Sequence, residues 1–236
     1  MASNAVRLSG VNVDVETSDG KPLRILHGID AEFARGRLTL VRGPSGSGKS
    51  TLLAVAGLLI LPSRGEVYLH GVPMHDLSTA DRRRQRLENV GFIFQQHRLI
   101  ERLSALENIL LAQSLRGRTD RARAHELLES QGLGELANTQ VKRLSGGQRQ
   151  RVSIARTLSS DPPVVLCDEP TASLDAASVH MIARELRRLA KSEQRAVVVV
   201  THDERLEIYA DTVLMLFDGN VTGIHTRPVP VSSHAA

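Results

Sequence analysis

Apolar residues recur along this chain in two patterns, and together they predict an α/β fold. Val11-Asn12-Val13-Asp14-Val15 and Ile29-Asp30-Ala31-Glu32-Phe33 are apolar at every second position, as in a strand with one buried face. Val67-Tyr68-Leu69, bounded by Gly65 and Gly71, extends this antiparallel layer. Residues 164–167 and 197–200 are instead unbroken apolar runs, and 38–41 is short and apolar but for Thr39, as strands covered on both faces are. Val90-Gly91-Phe92-Ile93-Phe94 predicts another strand, ending at Gln95. Residues 213–217 and 221–224 predict a hairpin around Asp218-Gly219-Asn220.

Helical spacing sets in after Gln95. Residues 103–115 read as a helix. Thr119 is placed to cap a second, with Ala124, Leu127 and Leu128 on one face and Gly132 as its stop. A third begins near Ser145. Roughly 110 residues separate Thr51 from Val164, far more than one strand–helix–strand crossover needs. A helical subdomain inserted at about 96–160 accounts for the excess. Residues 177–190 predict an amphipathic helix with Val179, Ile182, Ala183, Leu186, Leu189 and Ala190 on one stripe. The charged run 81–86 suits a solvated helix face or turn. Ser18-Asp19-Gly20-Lys21-Pro22 reads as a turn. The expected layout is one domain over 1–225 and a disordered tail over 226–236.

The chemistry centres on Gly43-Pro44-Ser45-Gly46-Ser47-Gly48-Lys49-Ser50-Thr51, which fits G-x-x-x-x-G-K-[ST] between a predicted strand and a predicted helix. Glycines let consecutive backbone N–H groups curl into an anion nest, and the following helix turns its positive dipole end to the same place. Lys49 is suited to β- and γ-phosphates and the Ser50 hydroxyl to Mg²⁺. Other polar groups fall at the carboxyl ends of predicted strands, the edge where open parallel sheets bind ligands. Asp168 is placed to hold Mg²⁺ through water, Glu169 to polarise an attacking water, Gln95 to touch both, and His202 to meet the γ-phosphate. Leu144-Ser145-Gly146-Gly147-Gln148 opens a helix and makes a second anion site, this one on the helical insert. Two such sites in different parts of the chain suggest that ATP is sandwiched between two copies.

Composition narrows the classes. At 236 residues, 41% hydrophobic and 3% aromatic, the chain is an ordinary globular protein. Its longest apolar run, over 52–62, is about half the roughly 20 residues of a membrane span. The first ten residues lack the apolar core of a signal peptide. A single cysteine, Cys167, excludes an intrachain disulfide framework and fits a reducing compartment. Cys167 reads as a small buried hydrophobe. The net charge of +4 suits nucleic acid, anionic lipid or simple solubility equally.

With these motifs in order, the chain resembles the nucleotide-binding subunit of an ATP-binding cassette (ABC) transporter over roughly residues 5–225. The matching stretches are 43–51 (Walker A), Gln95 (Q-loop), 144–148 (signature), 164–169 (Walker B), Ser173-Leu174-Asp175 (D-loop) and His202 (switch histidine). Gly91-Phe92-Ile93-Phe94-Gln95 and Leu103-Ser104-Ala105-Leu106-Glu107-Asn108 are most similar to the lipoprotein-releasing and macrolide-exporter type. The resemblance implies a P-loop NTPase core with a mostly parallel sheet, an N-terminal antiparallel β layer and the helical insert. It implies ATP and Mg²⁺ as ligands, with Gly43, Ser45, Gly46, Ser47, Gly48, Lys49, Ser50 and Thr51 on the nucleotide. Ser50, Gln95 and Asp168 would be on the metal, and Glu169, Gln95 and His202 in catalysis. Ser145, Gly146, Gly147, Gln148 and Asp175 would face the ATP held by a second copy in a head-to-tail homodimer.

The same resemblance implies separate membrane permease subunits, no nucleic-acid partner, and a cytoplasmic location, peripheral on the inner or plasma membrane. The competing functions are a regulatory ABC subunit of the cell-division type and a soluble ABC ATPase. Family members usually stack adenine on an aromatic residue upstream of the phosphate loop. Here no aromatic precedes Phe33, so Val13, Val15 or their neighbours are expected to offer only an apolar surface. Residues 97–102, which mix Leu99 and Ile100 with charges, suit a docking surface for a short cytoplasmic helix of the membrane subunit.

Overall fold

Each buried strand of the central sheet sends alternate side chains to opposite faces, and this sorts the core into two clusters. In the strand Ala196–Val200, Val197 and Val199 join one cluster while Ala196, Val198 and Val200 join the other. In Val164–Asp168, Val165 and Cys167 separate from Val164 and Leu166 in the same way. Unbroken apolar runs are what a strand needs when both its faces are dry.

The computed structural model describes residues 4–17, 19–117, 119–172 and 174–227. In chain order its elements are β1 (Asn4–Glu16), β2 (Pro22–Ala34), β3 (Arg37–Arg42), α1 (Lys49–Ala56), β4 (Arg64–Leu69), β5 (Val72–Pro73), α2 (Thr79–Asn89), β6 (Val90–Phe94), α3 (Ala105–Ser114), α4 (Arg121–Ser130), α5 (Gly146–Leu158), β7 (Val164–Asp168), α6 (Ala176–Lys191), β8 (Ala196–Val200), β9 (Thr212–Phe217) and β10 (Asn220–Thr226). A four-stranded antiparallel sheet has the order β2-β1-β4-β5. A six-stranded sheet has the order β10-β9-β3-β8-β7-β6. It is parallel throughout except for the β9–β10 hairpin at its edge.

One cluster fills the space between the two sheets and includes Leu52, Leu53 and Val55 of α1. The other joins the opposite face of the parallel sheet to α6 and to the helices between 105 and 158. The six stripe residues of α6 are each 2% exposed or less. Burying each of the larger ones is worth about 1.5–3 kcal/mol.

Several local expectations shift. Asp120, not Thr119, caps α4, because its carboxylate accepts from the Arg123 N–H at 2.9 Å. The charged run 81–86 lies in α2, a helix with no buried residue, held at its start by Ser78 accepting from the Asp81 N–H. Thr226 ends β10, and the Arg227 N–H donates to the Asp211 carbonyl at 2.8 Å. The chain is therefore tied down beyond the expected start of the tail, and residues 228–236 of that tail lie outside the described residues. So do Ser18 of the predicted turn and Ser173 of the D-loop. Among the described residues no helix is long and apolar enough to cross a membrane.

Candidate functional site

The register of the parallel sheet brings four strand ends together. Val41 lies opposite Val200, Val200 opposite Asp168, and Asp168 opposite Phe94. The residues that follow these ends are therefore neighbours, although the sequence separates them by up to about 160 positions. They are the loop from Gly43, then Thr201-His202, Glu169 and Gln95. A cleft of about 540 Å³ opens there, lined by Ser45, Gly46, Gly48, Lys49, Ser50, Thr51, Gln95, Glu169, Val200, His202 and Ile25.

The loop fits only glycine at key points. A Cβ on Gly43 would sit 1.9 Å from the Leu216 carbonyl oxygen. Gly48 has φ +96° and precedes the first helical residue, Lys49. A side chain at Gly48 would be strained by that backbone and would also crowd Leu26 and the Ile25 carbonyl. Lys49 is buried, and its Nζ donates to the Gly43 and Pro44 carbonyls at 2.9 and 2.8 Å. The Ser47 hydroxyl is buried, without a hydrogen-bond partner among the described residues. A loop with an ammonium held over it, a helix start beneath it and an orphaned hydroxyl has the makings of a phosphate cradle.

Beside it the Ser50 hydroxyl donates to Asp168 Oδ1 at 3.0 Å. Burial pushes the Asp168 carboxyl up from its ordinary value; the Ser50 hydrogen bond opposes the rise and the Glu169 charge adds to it. Among the described residues no group of three or more His, Cys, Asp or Glu is placed to hold a metal by itself. The oxygen set of Ser50, Asp168 and Gln95 suits a hard cation whose remaining ligands are phosphate and water, the usual habit of Mg²⁺.

Glu169 is held on both carboxylate oxygens. His202 Nδ1 lies 2.8 Å from Oε1, and the Thr201 hydroxyl donates to Oε2 at 3.0 Å. Its backbone is left-handed, with φ +47°, and its N–H donates to the Val200 carbonyl at 2.9 Å. Such a conformation costs a non-glycine residue about 1–2 kcal/mol. The sheet holds it there and aims the side chain at the cleft. Thr201, fully buried, had no role in the sequence reading. Its signal was its place one residue before His202 at a strand end.

The stretch expected to form a second anion site lies elsewhere. Ser145 caps α5 in a capping box: its hydroxyl accepts from the Gln148 N–H at 3.2 Å, and Gln148 Oε1 accepts from the Ser145 N–H at 2.8 Å. Asp175 caps α6, accepting from the Ser178 N–H at 2.9 Å. The two helix starts adjoin, since a Cβ on Gly147 would lie 3.3 Å from Ser178 Oγ. None of Ser145, Gly146, Gly147, Gln148 and Asp175 lines the Lys49 cleft.

Of the apolar residues expected near a base, Val13 is buried in the core at 3% exposure and Val15 is 41% exposed. Neither lines the cleft; Ile25 does. In the expected docking stretch Leu99 turns inward onto the core cluster, while Ile100 is 47% exposed.

The family model described as ABC transporter matches residues 26–172. The lipoprotein-releasing system ATP-binding protein LolD 2 of Caulobacter vibrioides is 41% identical over 224 residues, which span 94% of this chain and 98% of that protein. The macrolide export ATP-binding/permease protein MacB 1/2 of Paracoccus denitrificans is 40% identical over 96% of this chain but only 34% of its own length. Among solved structures, the dimeric post-hydrolysis cassette MJ0796 bound to ADP and Pi superposes with a TM-score of 0.87 at 36% identity, covering 95% of this chain and 100% of that one.

Proposed function

The chain belongs to the ABC transporter family, and from that premise we propose that two copies close head to tail around two ATP molecules, hydrolyse them, and drive separate membrane subunits of the lipoprotein-releasing or macrolide-exporting type. The observation that carries this reading is the meeting of Lys49, Ser50, Gln95, Asp168, Glu169 and His202 at neighbouring strand ends, while the Ser145 site faces outward from another part of the chain.

ATP enters with its phosphates over the loop 43–51. Lys49 exchanges the Gly43 and Pro44 carbonyls for β- and γ-phosphate oxygens. Ser50, Asp168 and Gln95 would hold Mg²⁺, which when bound would offset the negative charge on the phosphates. Glu169 takes the proton of the water that attacks the γ-phosphorus, and the bond to the ADP oxygen breaks. Thr201 and His202 orient the Glu169 carboxylate, and His202, which lines the cleft, would meet the γ-phosphate. Ser145, Gly146, Gly147, Gln148 and Asp175 of a second copy complete the site from the other side, so hydrolysis follows closure.

The membrane subunit docks at the exposed side of residues 97–102, where Ile100 is the apolar anchor. A groove of about 220 Å³ with Leu59, Leu87, Phe92 and Ala112 among its lining residues is linked to this stretch by Arg156, which lines the groove and donates to the His97 and Arg98 carbonyls. The protein then sits on the cytoplasmic face of the membrane through its partner. The test is hydrolysis by purified protein. Glu169→Gln is expected to bind ATP normally and to lose roughly 10²–10⁴-fold in rate. Hydrolysis at the parent rate would remove Glu169 from its role.

A further inference from the structure

Three side chains on one face of α5 hold backbone carbonyls on either side of Gln95. The Thr157 hydroxyl donates to the Phe92 carbonyl at 2.8 Å. Arg156 donates to the carbonyls of His97 and Arg98, the first at 3.0 Å. The Ser153 hydroxyl donates to the His97 carbonyl at 3.4 Å. Arg98 has φ +48°, and its guanidinium lies 4.7 Å from the Phe94 ring centroid. The segment that leaves β6 at the nucleotide cleft is thus pinned at both ends to a single helix.

That helix carries the Ser145 anion site at its other end. Eleven residues separate Ser145 from Arg156, a rod of roughly 16 Å at 1.5 Å per residue. Arg156 also lines the groove that contains Leu59, Leu87 and Phe92. One guanidinium therefore touches the groove, the loop after Gln95 and the helix that presents Ser145. Its geometry is specific: a planar fork reaches two successive carbonyls through two separate nitrogens, whereas a lysine would have to serve both from one nitrogen on a shorter stem.

We infer that Arg156 is a positioning residue for hydrolysis: it fastens the Gln95 loop to α5, so that the loop at the γ-phosphate and the Ser145 site offered to the second copy move as one body. This rests on the reading that two copies close around ATP. Arg156 touches neither the phosphate loop nor the cleft lining, so its loss should leave ATP binding to the single chain unchanged. What it should alter is closure. Without the fork, the loop can respond to nucleotide while α5 stays behind.

The test compares Glu169→Gln with Glu169→Gln/Arg156→Ala and Glu169→Gln/Arg156→Lys, measuring binding of a fluorescent ATP analogue, melting temperature, and dimerisation by sedimentation across protein concentrations. Arg156→Ala should raise the dimer dissociation constant about tenfold or more with ATP affinity unchanged. Arg156→Lys should fall between it and the parent. Hydrogen exchange at residues 97–99 should quicken in the order parent, Lys, Ala. If Glu169→Gln itself stays monomeric in ATP, the closure reading fails. If it dimerises and the Arg156 variants dimerise equally well, the positioning role fails. Should Arg156→Ala not fold, Arg156→Met decides, because it keeps an unbranched stem and removes every donor, and dimerisation at the parent constant would overturn the inference.

Discussion

His202 Nδ1 stands 2.8 Å from Glu169 Oε1, across the ends of two neighbouring strands, although 33 positions separate the two residues in the sequence. The Glu169 side chain is 16% exposed and that of His202 75% exposed, so the imidazole roofs the carboxylate from the solvent side. His202→Ala should leave ATP binding intact and lower the turnover number about 10²-fold, within the range for a group that serves proton transfer. Steady-state kinetics with nucleotide-binding titrations check this. An unchanged turnover number would make the contact structural only.

Among the described residues no Phe, Tyr or Trp lines the cleft; Ile25 and Val200 are its apolar lining. The stacking energy missing relative to an aromatic platform is roughly 1–3 kcal/mol. Phosphates should then dominate affinity, and GTP should displace labelled ATP nearly as well as ATP does. Ile25→Tyr should restore a preference for stacking and tighten both nucleotides. Strong discrimination by the parent chain in competition binding would show that another group reads adenine.

Leu99 faces the core, so only the outer side of the 97–102 stretch is available to a partner. Ile100→Asp with Arg102→Glu changes exposed positions and should cost less than about 1 kcal/mol of stability. ATP binding should be retained while copurification with the membrane subunit from detergent-solubilised membranes is lost, along with any stimulation of ATPase activity by that subunit. Undiminished copurification would move the docking site away from this stretch.

A polar link ties α4 to α6. Gln131 Nε2 donates to Glu185 Oε1 at 2.8 Å, and Arg188 donates to both Glu185 oxygens. Burial pushes the Glu185 carboxyl up, but the Arg188 and Gln131 hydrogen bonds outweigh it and hold it below its ordinary 4.5. A depressed carboxyl adds stability above its unfolded value, and that stability is lost as pH falls through the folded value. Glu185→Gln should therefore be less stable than the parent by about 1 kcal/mol at neutral pH. The gap should close as pH drops below 4.5. Denaturant titrations at several pH values check this; a gap that persists in acid would point to packing instead of charge.

Much of this was legible in the chain because the physics is local. Strand alternation, the unbroken runs of β7 and β8, the α6 stripe and the glycine–lysine loop each follow from residues a few positions apart. Thr119 and Asp120 both suit a helix cap, and only backbone geometry chooses between them. β5, two residues long, is too short to show a period. The direction of Leu99, the burial of Val13, and the contacts of Glu169 with Thr201 and of Arg156 with the Gln95 loop depend on how distant segments meet. No pattern within a window carries that information.

If hydrolysis follows closure, ATP must draw two copies of this chain into one dimer. The most direct test is the mass of Glu169→Gln by sedimentation, with and without saturating MgATP. A monomer is expected without nucleotide and a stable dimer with ATP, one that does not form when Ser145→Arg blocks the second copy's anion site. A Glu169→Gln protein that binds ATP and remains monomeric at all concentrations would contradict it.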